Sequence, residues 1–506
     1  MRMADALDNV ATPSTTHVEM ESRTELIKAL WGGTPAMRKA AQRWLPQNQK
    51  ETARAYSNRL EMTVLFDAFR DTVGSVVDGP FARDVRLVNS ERLDPRVAAI
   101  ENDVDLQGAG LTSFCREAFR DAVLNGMTNI LVDFPAVAPG LSATAENKLR
   151  VRPYFVIVSS CDLLEAMPVR GPNGITTVKR VRIKSKQLEP KGNWGDQLVE
   201  YVKVITFSIP GVPDSMGSWE QWRKNPETGE WALQSEGPFP FQGVPMVTLY
   251  LERDGFMLAR PPLDSLAWQC LRHWQSTSDQ NLILHVARFA QLFCKGISKE
   301  ELGSGQVEVG PLRAIHTMNA MADAKYLDPG GAALDAGFKD LQTIEDRQQS
   351  LGSEPFQRQT GTVVATARAI TEAREKSAIQ SWVRGTEIAV RSAFEIAQRW
   401  YGLDLDEKFQ VDVYNEFSLG TRARDDLAVL DGLHARGGLT DKTYLRELQR
   451  RDTLAADVDI EAEVREVAKQ KESMMRAFSG VGMDDEDDDG DAGPGMLNGQ
   501  RQRAST

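Results

Sequence analysis

The residues best suited to chemistry are few in this chain, and their spacing does not assemble them. His17, His273, His285, His316 and His434 are its five histidines, and Cys115, Cys161, Cys270 and Cys294 its four cysteines. Neither HExxH nor CxxC occurs. A zinc site, a dithiol couple and a disulfide framework therefore have no local scaffold. His273 and His285 stand twelve apart on one helical stretch and read as ordinary helix-surface or core residues, since metal-bound and catalytic histidines usually come with a local set of carboxylate or cysteine companions at ligand spacing. Phosphate cradles are missing as well: Gly-Lys occurs nowhere, which removes a P-loop, and neither a GxGxxG after a strand nor a GxSxG elbow is present. Asp103, Asp105 and Gln107 open like a calcium loop, but Phe114 stands where the twelfth position needs a bidentate glutamate, so a polar turn before a helix is expected. Trp219, Trp222 and Trp231 gather about the turn at 225–229; a ligand platform is conceivable, and cross-strand packing on a sheet is the simpler reading. The sequence thus points to no catalytic residue, no metal and no cofactor.

The elements must then carry the function as architecture. With 60 basic and 72 acidic residues the net charge is −12, which argues against gripping nucleic acid through a general basic surface. No apolar run reaches the ~18 residues of a membrane span; the nearest, residues 281–294, is broken by His285, Arg288 and Gln291. The first residues lack an apolar core of a signal peptide and read as part of a loose arm over residues 1–24. A helix is expected over 51–78, and another from the N-caps Thr112 and Ser113 to Asn125-Gly126, followed by a buried strand at 130–132. Residues 151–251 change to β character, with strands at 154–158, 178–183 and 199–209 and a hairpin pairing 218–223 with 230–234. A long helix over 263–294 carries a polar block at 275–281, which reads equally as a solvated face or a break. An insert with β-like pieces follows, then a helix at 332–351, a polar loop at 352–366, a helix at 367–401, a strand at 411–417 and helices at 424–435, 442–450 and 460–478. The chain closes in an acidic low-complexity segment.

That order resembles the portal proteins of tailed bacteriophages, over roughly residues 25–478. The resemblance is carried by FDAFRDTV at 66–73, GLTSFCREAFRDAVLNGMTNILVDFP at 110–135, RPYFVIV at 152–158, PPLDSLAWQCLRHWQSTSDQNLILHVA at 261–287 and LDGLHARGGLTDKTYLRELQRR at 430–451. It implies an α+β portal-type fold: an arm at 1–24, a wing at 25–260, a first stem helix at 261–294, a clip at 295–328, a second stem helix at 329–352, a tunnel loop at 353–366, a long helix and returning wing strand at 367–420, a helical crown at 421–478 and a disordered acidic tail at 479–506. It further implies a homo-oligomeric ring of twelve subunits at the capsid vertex of a virion, assembled in the host cytoplasm. The implied partners are the large terminase or packaging motor, a head-completion adaptor, major capsid and scaffolding proteins, and double-stranded DNA in the channel, with no membrane. Lys299, Glu300, Glu301, Arg313 and His316 of the clip become the docking groups, and Glu354, Gln357, Arg358, Gln359 and Thr360 of the tunnel loop face the DNA, with Gly352 and Gly361 as its hinges. A non-viral helical scaffold or adaptor, and a phage assembly enzyme, are the competing readings.

Overall fold

The computed structural model describes residues 9–135, 151–171, 174, 176–207, 217–239, 241, 243–288, 291–296, 319–327, 331–353, 378–415, 422–450, 454 and 458–479. The chain divides into two units, Met1–Phe417 and Ser418–Thr506. Where the sequence suggests a loose arm, the first unit opens on a helix, α1 (Thr15–Trp31). Ser14 caps it by accepting the His17 amide proton at 3.2 Å, and Met20, Leu26, Ile27 and Leu30 are buried. The polar residues that make this segment look solvated are satisfied inside: Thr24 donates to the Met20 carbonyl at 2.9 Å and His17 Nδ1 to the Leu163 carbonyl at 2.9 Å.

Next come α2 (Gly33–Ala40), α3 (Ala53–Met62) and α4 (Ala68–Asp78), so the single helix expected over 51–78 is two. Thr63 leaves the helix in an extended conformation, its carbonyl taken by Arg38 Nη2 at 3.0 Å. Consecutive β-branched residues, Thr63 and Val64, resist helical continuation, and the extended passage buries Leu65 while Val64 and Phe66 stay exposed. After β1 (Arg86–Val88) and α5 (Pro95–Ala98), the acidic loop turns back on its own backbone. Asp105 Oδ1 accepts the Gln107 amide at 2.8 Å, and Asp103 Oδ1 that of Gly108 at 2.8 Å, which is the expected polar turn.

Helix α6 (Leu111–Asn125) is capped by Gly110 rather than by Thr112, whose hydroxyl accepts the Val85 amide proton. It ends, as expected, at Gly126 with φ 81°, and the chain enters β2 (Met127–Asp133), buried at every residue. Then follow β3 (Tyr154–Ser159), β4 (Leu163–Arg170), β5 (Thr176–Lys191), β6 (Gly195–Thr206), β7 (Gly217–Lys224), β8 (Trp231–Phe239), β9 (Met246–Tyr250), β10 (Arg253–Gly255) and β11 (Leu258–Ala259). Antiparallel β3-β2-β9 forms the central sheet, and β4 to β8 a second antiparallel sheet in sequence order. The hairpin signal is met: the Asn225 amide donates to the Glu230 carbonyl at 2.8 Å between β7 and β8. Trp219 packs against the main core, while Trp222 and Trp231 cover Val202, Val204 and Leu164. All three tryptophans serve the sheet.

The remainder of this unit is α7 (Asp264–Arg288), β12 (Gln291–Lys295), β13 (Asp323–Leu327), α8 (Gly331–Ser353), α9 (Ala378–Arg399) and β14 (Gln410–Asp412). Helix α9 buries Ile379, Trp382, Val383, Ala389, Val390, Ala393, Phe394 and Ile396, a stripe with helical period that matches the sequence reading over this span, while 367–377 of the expected helix, Ile370 included, lie outside the described residues. Phe394 meets Phe155 edge-on, ring centres 5.3 Å apart. The strand expected over 411–417 is shorter: β14 covers Gln410–Asp412 and pairs antiparallel with β1, Leu87 opposite Val411, while 416 and 417 lie outside the described residues.

Among the described residues of the second unit are three helices, α10 (Arg422–Ala435), α11 (Asp441–Arg450) and α12 (Ile460–Ser479). The His434 ring stacks on Tyr444 at 4.1 Å, with its Nε2 2.7 Å from Asp441 Oδ1, and Lys442 donates to Glu461 at 2.7 Å. Among the described residues no helix is long and apolar enough to cross a membrane.

Candidate functional site: the paired long helices

Helix α7 begins as a core helix. Leu263, just before it, and Leu266, Ala267, Cys270, Leu271 and Trp274 are buried, Trp274 completely. The following polar block, 275–281, is neither a solvated face nor a break. It stays helical, and its side chains are used as a seam against neighbours. Gln275 Nε2 donates to the Trp44 carbonyl at 3.0 Å, Ser276 Oγ to Asp340 Oδ2 at 2.7 Å, and Gln280 Nε2 to the Leu334 carbonyl at 3.2 Å. Ser278 accepts from Arg59 Nη1 at 3.3 Å, and Arg59 also donates to Glu51 (2.9 and 2.8 Å) and to the Pro46 carbonyl at 2.8 Å. The Arg59 and Glu51 side chains are only 4% and 10% exposed. Arg59 donating to it holds the Glu51 carboxyl below its ordinary value, and the same bond raises Arg59.

Helix α8 runs back antiparallel along α7. Gln348 Nε2 donates to the Gln269 carbonyl at 3.2 Å, His273 Nε2 lies 3.1 Å from Glu345 Oε1, and Arg272 Nη2 donates to Asp340 Oδ1 at 2.9 Å. A Cβ at Gly337 would stand 1.9 Å from Gln280 Oε1, so hydrogen at that position lets the two helices close on the buried amide. At ~1.5 Å per residue, α7 is about 37 Å long. Its last described buried residue is Gln280; the side chains described beyond it are half-buried or exposed, Leu282 at 43%. The outer part of the hairpin leaves the body.

At that outer end the helix expected to reach 294 stops at Arg288, and residues 291–295 form β12 instead. The apolar spacing of Phe289 and Phe293 looks helical, but β12 pairs with β13, Gln291 opposite Leu327 through Lys295 opposite Asp323. A partner some thirty residues downstream overrides local periodicity. Asn319 closes the ribbon by donating to the Gly296 carbonyl at 2.8 Å. An insert is thus hung on a two-stranded stem at the remote end of two paired helices. The expected docking groups Lys299, Glu300, Glu301, Arg313 and His316 all lie outside the described residues, as do Glu354, Gln357, Arg358, Gln359, Thr360 and Gly361. Gly352, expected as a hinge, belongs to the last turn of α8, and a Cβ there would meet Thr72 Oγ1 at 2.8 Å, so it seats α8 against α4. None of Arg59, Glu51, Gln280 and Gly337 is singled out by the sequence reading; only Gly337, a glycine inside an amphipathic helix, carries a local signal of close packing.

Residues 262–401, which contain α7, α8 and α9, match the family described as "Domain of unknown function (DUF4055)". No curated protein matches the chain. Among solved structures, the neck of an empty GTA particle computed with C6 symmetry is 11% identical, 75% of this chain and 88% of that chain being covered at a TM-score of 0.38. The neck of a native GTA particle computed with C12 symmetry is also 11% identical, over 75% of this chain and 89% of that chain, at 0.36.

Proposed function

We propose that the chain is a portal-type subunit of a tailed-phage-like particle, one copy in a non-catalytic ring at a capsid vertex through which double-stranded DNA is packaged and released. The observation that carries this reading is the helical hairpin: α7 and α8 pair antiparallel, are rooted in an α+β body, and hold an insert at their outer end, in the order the portal resemblance requires. Exposed Trp268 (52%), Phe338 (51%) and Ile388 (60%) on α7, α8 and α9 support a closed assembly in which neighbours cover them. A net charge of −12 suits a channel along which a polyanion slides, since each gripping cation would add a salt-dependent anchor. Negative-stain imaging and native mass measurement of the purified chain are expected to give closed rings with a central hole; monomer alone at every concentration and salt would overturn the reading.

On this reading the insert at 295–328 binds the packaging motor and later the head-completion adaptor. Deleting residues 299–305, which include Lys299, Glu300 and Glu301, is expected to leave the ring intact and abolish motor binding in a pull-down; undiminished packaging would refute the assignment. The loop at 353–366 lines the channel, and Arg358 repeated around the ring forms a modest positive collar. Such contacts are screened within about 8 Å at physiological salt. Arg358→Glu should therefore preserve ring formation and lower DNA retention in filled heads, more so at low salt, whereas full-length retention at every salt would make the loop a passive connector.

A further inference from the structure

We infer that the tip of the β5–β6 ribbon is a plug, and that its socket is the cleft between α1 and the start of α7 on a second copy of this chain; this specifies a contact within the proposed ring and so rests on that reading. The tip is built rather than loose. Strands β5 and β6 stay in register out to Lys191 opposite Gly195, Gly192 turns the chain at φ 69°, and a Cβ at Gly195 would lie 2.9 Å from the Lys191 carbonyl oxygen. This tight turn holds the Trp194 side chain 99% exposed. Three paired positions further back along the ribbon, Leu188 and Leu198 face each other across the strands, exposed at 66% and 59%. Isolated apolar side chains on a surface are ordinary, but three on one ribbon end, one of them a tryptophan, carried on a tightly turned backbone, present an apolar knob of the kind that anchors interfaces.

The socket lies on the same chain. A cleft of about 440 Å³ is lined by Arg23, Arg43, Trp44, Arg260, Asp264 and Trp268, among others. That volume lies in the range of small-ligand pockets, and the cleft is open to solvent on one side. Its walls are set for an indole. Trp268 is half exposed, the Arg43 guanidinium sits 5.4 Å from the Trp44 ring, and Arg23 is fixed by Asp254 at 2.8 Å and the Ala259 carbonyl at 3.0 Å. The charges match. Lys191 and Asp196 flank the plug, and Arg260 and Asp264 flank the cleft, and none of these four side chains has a partner among the described residues. Asp196 would face Arg260, and Lys191 would face Asp264. A plug and a socket at different places on one subunit make a head-to-tail contact, the kind that closes into a ring.

The test measures the protein concentration at half assembly by native mass measurement on the full chain. Trp194→Ala should raise that concentration at least about tenfold, as loss of a buried tryptophan anchor does, without changing the circular dichroism spectrum. Asp196→Arg and Arg260→Asp should each weaken assembly, and the double variant should recover it. Trp194→Ala assembling at the wild-type concentration, or a double reversal no better than either single one, overturns the contact and leaves the ring reading standing. Rings that form normally but fail to enter particles would assign the tip to a capsid-side protein and overturn it equally. A wild-type chain that never assembles would remove the ring reading itself.

Discussion

Arg59→Ala is expected to destabilise the first unit by about 3–5 kcal/mol, the cost of leaving a buried carboxylate without its partner. Glu51 keeps only the Asn48 amide at 2.9 Å once the guanidinium is gone, and the Pro46 carbonyl and Ser278 hydroxyl lose their donor. Urea unfolding at fixed protein concentration measures the loss. Removing both charges, Arg59→Ala with Glu51→Ala, should recover part of it, because no unpaired ion remains. The effect has a direction in pH. Glu51 is held below its ordinary value in the folded chain, so its contribution is complete above the unfolded glutamate value near ~4.3 and is lost as pH falls through the folded value. The gap between wild type and Arg59→Ala is therefore widest near neutrality and narrows in acid. A gap that stays constant down to acid denaturation would show that the pair contributes nothing through charge.

Gly126→Ala is expected to cost about 2–5 kcal/mol, from left-handed backbone imposed on an L-residue (roughly 1–2) and forced overlap (roughly 1–3). At φ 81° the new Cβ would stand 2.5 Å from the Arg260 carbonyl oxygen and 3.0 Å from Pro261 N, backbone atoms with no rotamer to retreat into. Those atoms belong to the entry of α7, so the strain falls on the joint between the central sheet and the long helix. Gly74→Ala is the matched control: it lies inside α4 with nothing within 4 Å of its Cβ position, and should stabilise by up to about 1 kcal/mol. Equal effects of the two substitutions would mean that the joint at Gly126 is lax.

Elements whose evidence is local were legible in the sequence. The stripe of α9, the Gly126 stop, the 225–229 turn and the buried strand before residue 135 follow from period, caps and turn chemistry, and each is present. What sequence left open or misread depends on distant partners. The polar block 275–281 finds Trp44, Arg59 and, on α8, Leu334 and Asp340, from three separate stretches of chain, and no window around it contains them. The same holds for α1, whose His17 bonds to a carbonyl 146 residues away, and for β12, which looks helical until β13 is beside it. Of the site, the two helices and the position of their insert were legible, while the groups named within the insert and the loop lie outside the described residues.

The buried amide of Gln280 and the two hydrogen bonds to Asp340, from Ser276 and Arg272, also fix the register of the hairpin. Two helices in contact through leucines alone can slide by one turn, ~5.4 Å, and meet another set of leucines. Here the same slip would strand Gln280, Ser276 and Asp340 at once, and would drive the amide against whatever replaced Gly337 opposite it. Of these only the Gln280 amide is buried, and stranding it costs about 1–3 kcal/mol, while Ser276 and Asp340 can turn to water. The Gln280 amide therefore acts as a register pin between the two helices, and Ser278, two residues before it, ties the same stretch of α7 to Arg59.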